Sequence, residues 1–295
     1  MDIRVQDLRY FVAVADELSF TRAAEALFVS QPALSKQIRR LEAALGARLL
    51  DRDRRTVALT EAGAVLLPRA RQMVRSWCGA EAEIAALAAT GRTTLTVGFQ
   101  TRIGRGLIPA ITTRMREALP GWRLVFRQVP WHDPTAGLAR GETDVAIAWL
   151  PVPADGTYAW KVVSTEDRWV ALPGGHRLAE REVVPFRELE AEPFLALPAS
   201  AGPTRDFWLA TGQRDCPPRI AAEAVTAEEA MEGVAAGLGV TLIAAGDAEI
   251  NRRDDVVCRP VEGLPPSRLA VVWRAVDERP AVRLFAEACV RCLCA

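Results

Sequence analysis

A chain of 295 residues, half of them hydrophobic and a quarter charged, has the make-up of a folded protein of about two domains rather than a disordered or fibrous one. Its 37 basic and 37 acidic side chains cancel, which taken whole speaks against nucleic acid as a partner, although such an average can hide an asymmetry between segments. No apolar run approaches the ~20 residues of a membrane span, and the opening stretch MDIRVQDLRY lacks the apolar core of an export signal, so a cytoplasmic location with no membrane partner is expected.

Leu8, Phe11, Val12, Ala15 and Leu18 recur at helical spacing and predict a first amphipathic helix. Ser19 and Thr21 are capping types ahead of a short second helix around Ala23, Ala24 and Leu27. After a break at Phe28, Val29 and Ser30, a third helix is expected, with Ser30 as its N-cap, Pro32 in its first turn and Gly46 at its end. It buries Leu34, Ile38, Leu41 and Leu45, and its opposite face is expected to carry Gln31, Pro32, Ser35, Lys36 and Arg39. These are the parts of a helix-turn-helix, and Gln, Ser, Lys and Arg have the groups that pair with base edges and phosphates. On pattern alone, a solvated face on a structural helix explains the same residues equally well.

Residues 49–52 and 56–59 read as two short strands joined by Asp53, Arg54 and Arg55. Between positions 36 and 55 there are seven basic and three acidic residues, a local charge of +4 and the electrostatic footprint of DNA contact. Residues 60–89 read as one long helix, in which Pro68 is expected to kink the first turns. Leu66, Ala70, Met73, Trp77, Ala80, Ile84 and Leu87 advance along it by alternating steps of four and three, a seam that predicts pairing with another helix. The alternative is packing on the helix's own domain.

From Thr93 the texture changes. Strands are expected at 95–99, 123–126, 144–149, 169–172, 194–197, 220–222, 240–243 and 269–273, with helices near 107–118 and 135–140 and at the C-terminus. Such alternation predicts an α/β fold with a parallel sheet. The six cysteines are too sparse for a disulfide framework. Cys289, Cys292 and Cys294 form C-x-x-C-x-C, but no second Cys or His cluster completes a ligand set, so incidental thiols with neither metal nor cofactor are expected, metal binding or redox sensing by the helix-spaced pair being the alternative.

The segments SFTRAAEAL, SQPALSKQIRRLEAALGARLL and DRDRRTVALTEAG, with GETDVAI, LPGGHRL and AAGLGVTLI further along, resemble the LysR-type transcriptional regulators over nearly the full chain. The resemblance implies an α/β protein with an all-α-rich N-terminal winged helix-turn-helix and a two-lobed, periplasmic-binding-protein-like effector domain. It implies a DNA-binding domain at 1–60, a linker (dimerisation) helix at 61–90 and an effector-binding domain at 91–295. Within the last, one lobe would hold about 91–162 and 268–295 and the other about 163–267, the chain crossing near Val162 and Val163 and returning near Ser267 and Arg268.

By the same resemblance the protein is a sequence-specific transcriptional regulator, not an enzyme, controlled by a small-molecule effector between the lobes. Its implied partners are double-stranded DNA at a dyad-symmetric promoter site, RNA polymerase, and further copies of itself in a homodimer or homotetramer. Thr21, Ser30, Gln31, Pro32, Ser35 and Lys36 would meet the DNA, with Arg39, Arg54 and Arg55 on phosphates or in the minor groove. Effector contacts are implied at Gln100, Thr101, Arg102 and Trp131 on one side and at Ala199, Ser200, Ala201, Val225 and Thr226 on the other. Arg102 and Trp131 stand where small polar residues are commoner in the family. The expectation from that departure is an organic anion gripped by Arg102 with Trp131 on its apolar part. The alternative leaves Arg102 exposed or tied to a local acid.

Two rival classes fit less well. An enzyme should show a G-x-S-x-G elbow, a phosphate-binding loop or H-E-x-x-H, and none occurs. A pure solute-binding protein leaves the helix-turn-helix and the heptad seam unexplained. Divided at position 92, the neutral total separates into 14 basic and 11 acidic residues before and 23 and 26 after, a basic head on an acidic sensor.

Overall fold

A computed structural model describes residues 3–27, 29–52, 57–88, 93–102, 107–153, 156–250 and 252–293. The chain divides into two compact units, residues 1–81 and 82–295.

The first unit contains α1 (Val5–Glu17), α2 (Phe20–Ala26), α3 (Gln31–Leu45), β1 (Leu50–Arg52), β2 (Val57–Leu59) and most of the long α4 (Glu61–Ala88). Leu8, Phe11, Val14 and Ala15 of α1 pack on Ala23 and Ala24 of α2 and on Leu34, Ile38 and Leu41 of α3. Leu18 does not join them. It closes α1 in the left-handed region, at φ 46°, and is exposed, so the inward position belongs to Val14 instead. Ser19 caps α2 by accepting from Arg22 N at 3.3 Å, and Gly46 ends α3 at φ 66°.

β1 and β2 form an antiparallel hairpin with Leu50 opposite Leu59. Two side chains fix its place. Glu42 on α3 accepts from the amides of Leu49 and Leu50 at 3.0 and 3.3 Å. Thr60 donates to the Arg48 carbonyl at 2.7 Å and accepts from Gly63 N at 3.0 Å, capping α4. A Cβ on Gly63 would stand 2.1 Å from the Leu49 carbonyl oxygen, so glycine is what lets α4 lie against the hairpin.

α4 runs through Pro68 as one element and serves two purposes. Leu66, Leu67, Ala70 and Val74 belong to the core of the head itself. Met73, Trp77, Ala80 and Ile84 are exposed, Trp77 by 49% and Ile84 by 66%. The seam expected as one line therefore divides: Leu66 and Ala70 turn inward, and only the later positions are open to a partner. The side chain of Leu87 lies outside the described residues. Arg71 pairs with Asp16, and Arg9 reaches Glu81 at 3.3 Å, tying α1 to α4.

In the second unit the chain builds β3 (Thr94–Phe99), α5 (Leu107–Ala118), β4 (Arg123–Gln128), β5 (Val145–Trp149) and β6 (Tyr158–Glu166). It then enters a second lobe with β7 (Arg168–Pro173), β8 (Val184–Pro185), β9 (Pro193–Ala196), α6 (Pro203–Trp208), β10 (Arg219–Glu223), α7 (Ala227–Ala235), β11 (Thr241–Ala244), α8 (Ala245–Ile250) and β12 (Val256–Glu262). It returns through β13 (Ser267–Arg274) to α9 (Pro280–Leu293). The first lobe's sheet has the order β4-β3-β5-β13-β6, and the second lobe's β11-β7-β12-β8.

β3 runs parallel to β4 and β5, whereas β13 is antiparallel to both β5 and β6, so the sheet is mixed rather than purely parallel. Leu107, Ile111 and Met115 of α5 and Val282 and Phe285 of α9 cover one face of it. The other face meets the 129–138 segment, which comes so close that a Cβ on Gly98 would stand 2.2 Å from the Ala136 carbonyl.

Other expectations also fail in this unit. Residues 135–140 form turns, not a helix. The Asp133 carboxylate takes the amides of Thr135 and Gly137 at 2.9 and 3.1 Å, and Ala136 and Gly137 adopt φ of 50° and 92°. Those local bonds compete with the helical ladder and win. β6 stays paired with β13 as far as Glu166, beyond the expected crossing at Val162 and Val163. β12 was not foreseen, because Pro260 within its run argues against a strand interior.

The Gly63→Ala substitution is expected to destabilise the first unit by about 1–3 kcal/mol, the usual cost of overpacking. Urea unfolding followed by circular dichroism measures it, and a change near zero would show that α4 does not press on the hairpin.

Candidate functional site

The sequence-derived DNA residues of the head fall along α3 and just before it, with Thr21 at the start of α2. Thr21, Ser30, Gln31, Pro32, Lys36 and Arg39 are exposed there, joined by Arg40. The reason is geometric: Leu34, Ile38 and Leu41 take the inner face, and residues three and four apart from the others share the outer one. Ser30 occupies the N-cap position in extended conformation, but its hydroxyl makes no capping bond.

Ser35 is a correction to the expected outer face. It is only 8% exposed, because it lies beside Leu34 and one turn from Ile38 at the edge of the apolar stripe. Its Oγ accepts from the Arg39 guanidinium at 3.2 Å, so it steadies Arg39 from beneath. Arg54 and Arg55 lie outside the described residues. Glu42, which anchors the hairpin beside α3, was missed. A carboxylate flanked by buried Leu41 was the available signal.

The second candidate site is a cleft between the two lobes of the second unit. Gln100 and Thr101 after β3, Trp131 after β4 and Trp149 at the end of β5 form one wall. Strand ends of an α/β sheet are where such sites are expected. Trp208 of α6, Ala230 and Met231 of α7, and Asp247 of α8 stand on the other.

Trp149 and Trp208 meet edge to face with ring centroids 5.9 Å apart. Gln100 is held by donating to the Asp133 carbonyl at 2.9 Å, and Thr204 by donating to the Pro151 carbonyl at 2.8 Å. The indole N–H of Trp149 is buried without a hydrogen-bond partner among the described residues.

The expected effector residues divide between cleft and rim. Gln100, Thr101 and Trp131 come together in the cleft. At the rim, Trp131 N donates to the Val225 carbonyl at 2.8 Å and Ser200 Oγ donates to the His132 carbonyl at 3.0 Å, so one strap of the first lobe touches the second twice. Thr226 caps α7 by accepting from Glu229 N at 3.2 Å. Ala201 is buried in the second lobe's core, and Ala199 is exposed.

Arg102 does not line the cleft. It is 64% exposed and lies 3.9 Å from Glu228, which α7 presents in its first turn. The anion-gripping pocket expected around Arg102 is therefore not assembled. Trp149, Trp208, Met231 and Asp247 were missed, and of these only Trp149, at a strand end, carried a readable signal.

Arg168, at the start of β7, is buried with no carboxylate partner among the described residues. It donates to the Pro265 carbonyl at 3.0 Å and the Phe207 carbonyl at 2.7 Å, and its guanidinium lies 4.4 Å from the Phe207 ring centroid. Burial pulls its pKa down to about 10. Cys289 is fully buried on α9, and burial first, then Cys292, holds its thiol well above the usual range.

A winged helix-turn-helix followed by a long helix and a two-lobed domain with a cleft at its strand ends defines a regulator that joins a DNA reader to a ligand sensor. Residues 5–64 match the bacterial regulatory helix-turn-helix proteins of the lysR family, and residues 88–292 match the LysR substrate binding domain. The chain belongs to the LysR family of transcriptional regulators.

It is 34% identical over 288 residues to the Hca operon transcriptional activator HcaR of Escherichia coli K12, covering 96% of each chain. It is 31% identical over 278 residues to the transcriptional dual regulator OxyR of the same strain, covering 92% of this chain and 90% of that one. A full-length OxyR variant from Pseudomonas aeruginosa superposes with a TM-score of 0.52 at 26% identity, over 98% of this chain and all of that one. Among the described residues, no helix is long and apolar enough to cross a membrane.

In native protein at pH 8, iodoacetamide is expected to label exposed Cys216 while leaving Cys289 intact until the chain is unfolded. Mass spectrometry of the tryptic peptides reads this directly, and rapid native labelling of Cys289 would contradict its burial.

Proposed function

We propose that the protein acts in the cytoplasm as a homodimer or homotetramer that reads a dyad-symmetric promoter site and catalyses no reaction of its own. The observation that carries this reading is α3: one face is closed into a core, and the other offers Gln31, Pro32, Lys36, Arg39 and Arg40 to solvent. Gln31 and Lys36 reach base edges in the major groove, with Thr21 and Ser30 beside them, while Arg39, Arg54 and Arg55 hold phosphates or the minor groove. Ser35 serves by steadying Arg39. Residues 1–60 form the reader, 61–90 the linker helix and 91–295 the sensor.

Dimerisation uses the later part of the linker seam, through Met73, Trp77, Ala80, Ile84 and Leu87. A small molecule binds against Gln100, Thr101 and Trp131, and the rim residues Ser200, Val225 and Thr226 register lobe closure. Closure shifts the spacing of the DNA heads and so the engagement of RNA polymerase.

A gel shift with the DNA upstream of the chain's own coding sequence tests the reading. Arg39→Ala is expected to weaken binding across all sequences and to lower the salt slope by about 1. Gln31→Ala is expected to cost about 1–3 kcal/mol and to relax preference at one base pair. Failure of the unaltered protein to shift any such DNA would overturn the assignment.

Sedimentation velocity tests the seam. The double change Trp77→Asp and Ile84→Asp is expected to yield monomers whose heads remain folded. Persistence of the dimer would place its interface elsewhere.

A further inference from the structure

We propose that Glu42 is a positioning residue for DNA reading: it fixes the angle between α3 and α4, and with it the spacing at which two heads engage the halves of a dyad site. This rests on the reading of α3 as the DNA-facing helix of a dimer. It adds the residue that ties that helix to the one that pairs.

The tie is short and runs through directed polar contacts. Glu42 stands near the end of α3, and its Oε1 accepts from the amides of Leu49 and Leu50 at 3.0 and 3.3 Å. The same peptides are held from the other side by Thr60, the residue just before α4. Thr60 N donates to the Leu49 carbonyl at 3.0 Å, and Thr60 Oγ1 donates to the Arg48 carbonyl at 2.7 Å. Residues 48–50 therefore act as a splint, with α3 on their amides and the start of α4 on their carbonyls.

Two observations make the splint stiff. Leu49 and Leu50 are each only 1% exposed, so water does not readily replace the carboxylate on their amides. Gly63, in the first turn of α4, leaves no slack, since a Cβ there would stand 2.1 Å from the Leu49 carbonyl oxygen. Apolar packing from Phe11 to Ala70 holds the head together, and these directed bonds add an angular constraint. A dimer gains from its second half-site only as far as its heads are presented at the right separation. Without the Glu42 carboxylate, Gln31, Lys36 and Arg39 stay on α3, but α3 swings on α4.

The experiment uses the full-length protein and a fragment of the DNA upstream of its own coding sequence, in three forms. One is intact, one has half of the dyad replaced, and one has about five base pairs, half a helical turn, inserted between the halves. In gel shifts the unaltered protein is expected to prefer the intact form strongly. Glu42→Ala is expected to cut that preference about ten-fold while changing affinity for the half-replaced form by less than about two-fold. Glu42→Gln keeps an acceptor oxygen in place and is expected to restore the preference. Thr60→Val frees the Arg48 carbonyl on the other side of the splint and is expected to act in the same direction as Glu42→Ala, without touching α3.

A merely structural role lowers all three affinities by one factor. That result, an unchanged preference in Glu42→Ala, or a Gln variant that behaves like the Ala one would overturn the proposal. If Glu42→Ala fails to fold, Thr60→Val carries the same comparison, and equal loss or no change there decides against it. If the unaltered protein does not distinguish the intact from the half-replaced form, the dyad reading itself fails and the proposal with it.

Discussion

Both crossings between the lobes of the sensor lie side by side because β6 and β13 pair antiparallel from Glu166 opposite Ser267 to Tyr158 opposite Arg274. Ser267 Oγ donates to the Glu166 carbonyl at 2.9 Å, and Arg168 holds the Pro265 carbonyl just before the return. The second lobe is thus hung from the ends of a single ladder. That constraint sets Gln100, Trp131 and Trp149 opposite Trp208 and Met231, residues that no short segment of sequence brings together. Arg168 sits inside this joint with no carboxylate partner among the described residues. Two carbonyl dipoles and the face of Phe207 stand in for the water it has lost.

The parts of the fold governed by local periodicity were legible in the sequence. The spacing of Leu34, Ile38 and Leu41 placed α3, and Gly46 marked its end, because burial of one face and a left-handed cap are properties of a few consecutive residues. Errors arose at the edges of such patterns. Ser35 was assigned outward by polarity although its angle on the helix puts it beside Leu34, and Leu18 was assigned inward although the helix had already ended. Side chains competing with the backbone defeated the pattern at Asp133 and Thr135, where a helical spacing hides a run of turns. For the cleft, strand ends pointed to Gln100, Thr101 and Trp131. The facing wall depends on the hinge ladder, a long-range pairing with no local trace.

The two candidate surfaces rest on opposite physics. On α3, Lys36, Arg39 and Arg40 remain in water, where charge acts over several ångströms and yields to salt. The cleft is lined mostly by apolar and aromatic side chains, Trp131, Trp149, Trp208 and Met231 among them, where contact rather than long-range charge decides. The head is basic by only a few charges, which limits indiscriminate attraction to DNA and leaves more of the selection to base contacts.

The division of α4 has a consequence in mass action. Leu66, Leu67 and Ala70 complete the core of the head, and Met73, Trp77 and Ile84 on the next turns are exposed. Under the proposed dimer one helix would enter two equilibria, folding and association, and a partner covering its exposed end would add to the stability of a head that already folds alone. The durability of the DNA-reading head would then rise with protein concentration.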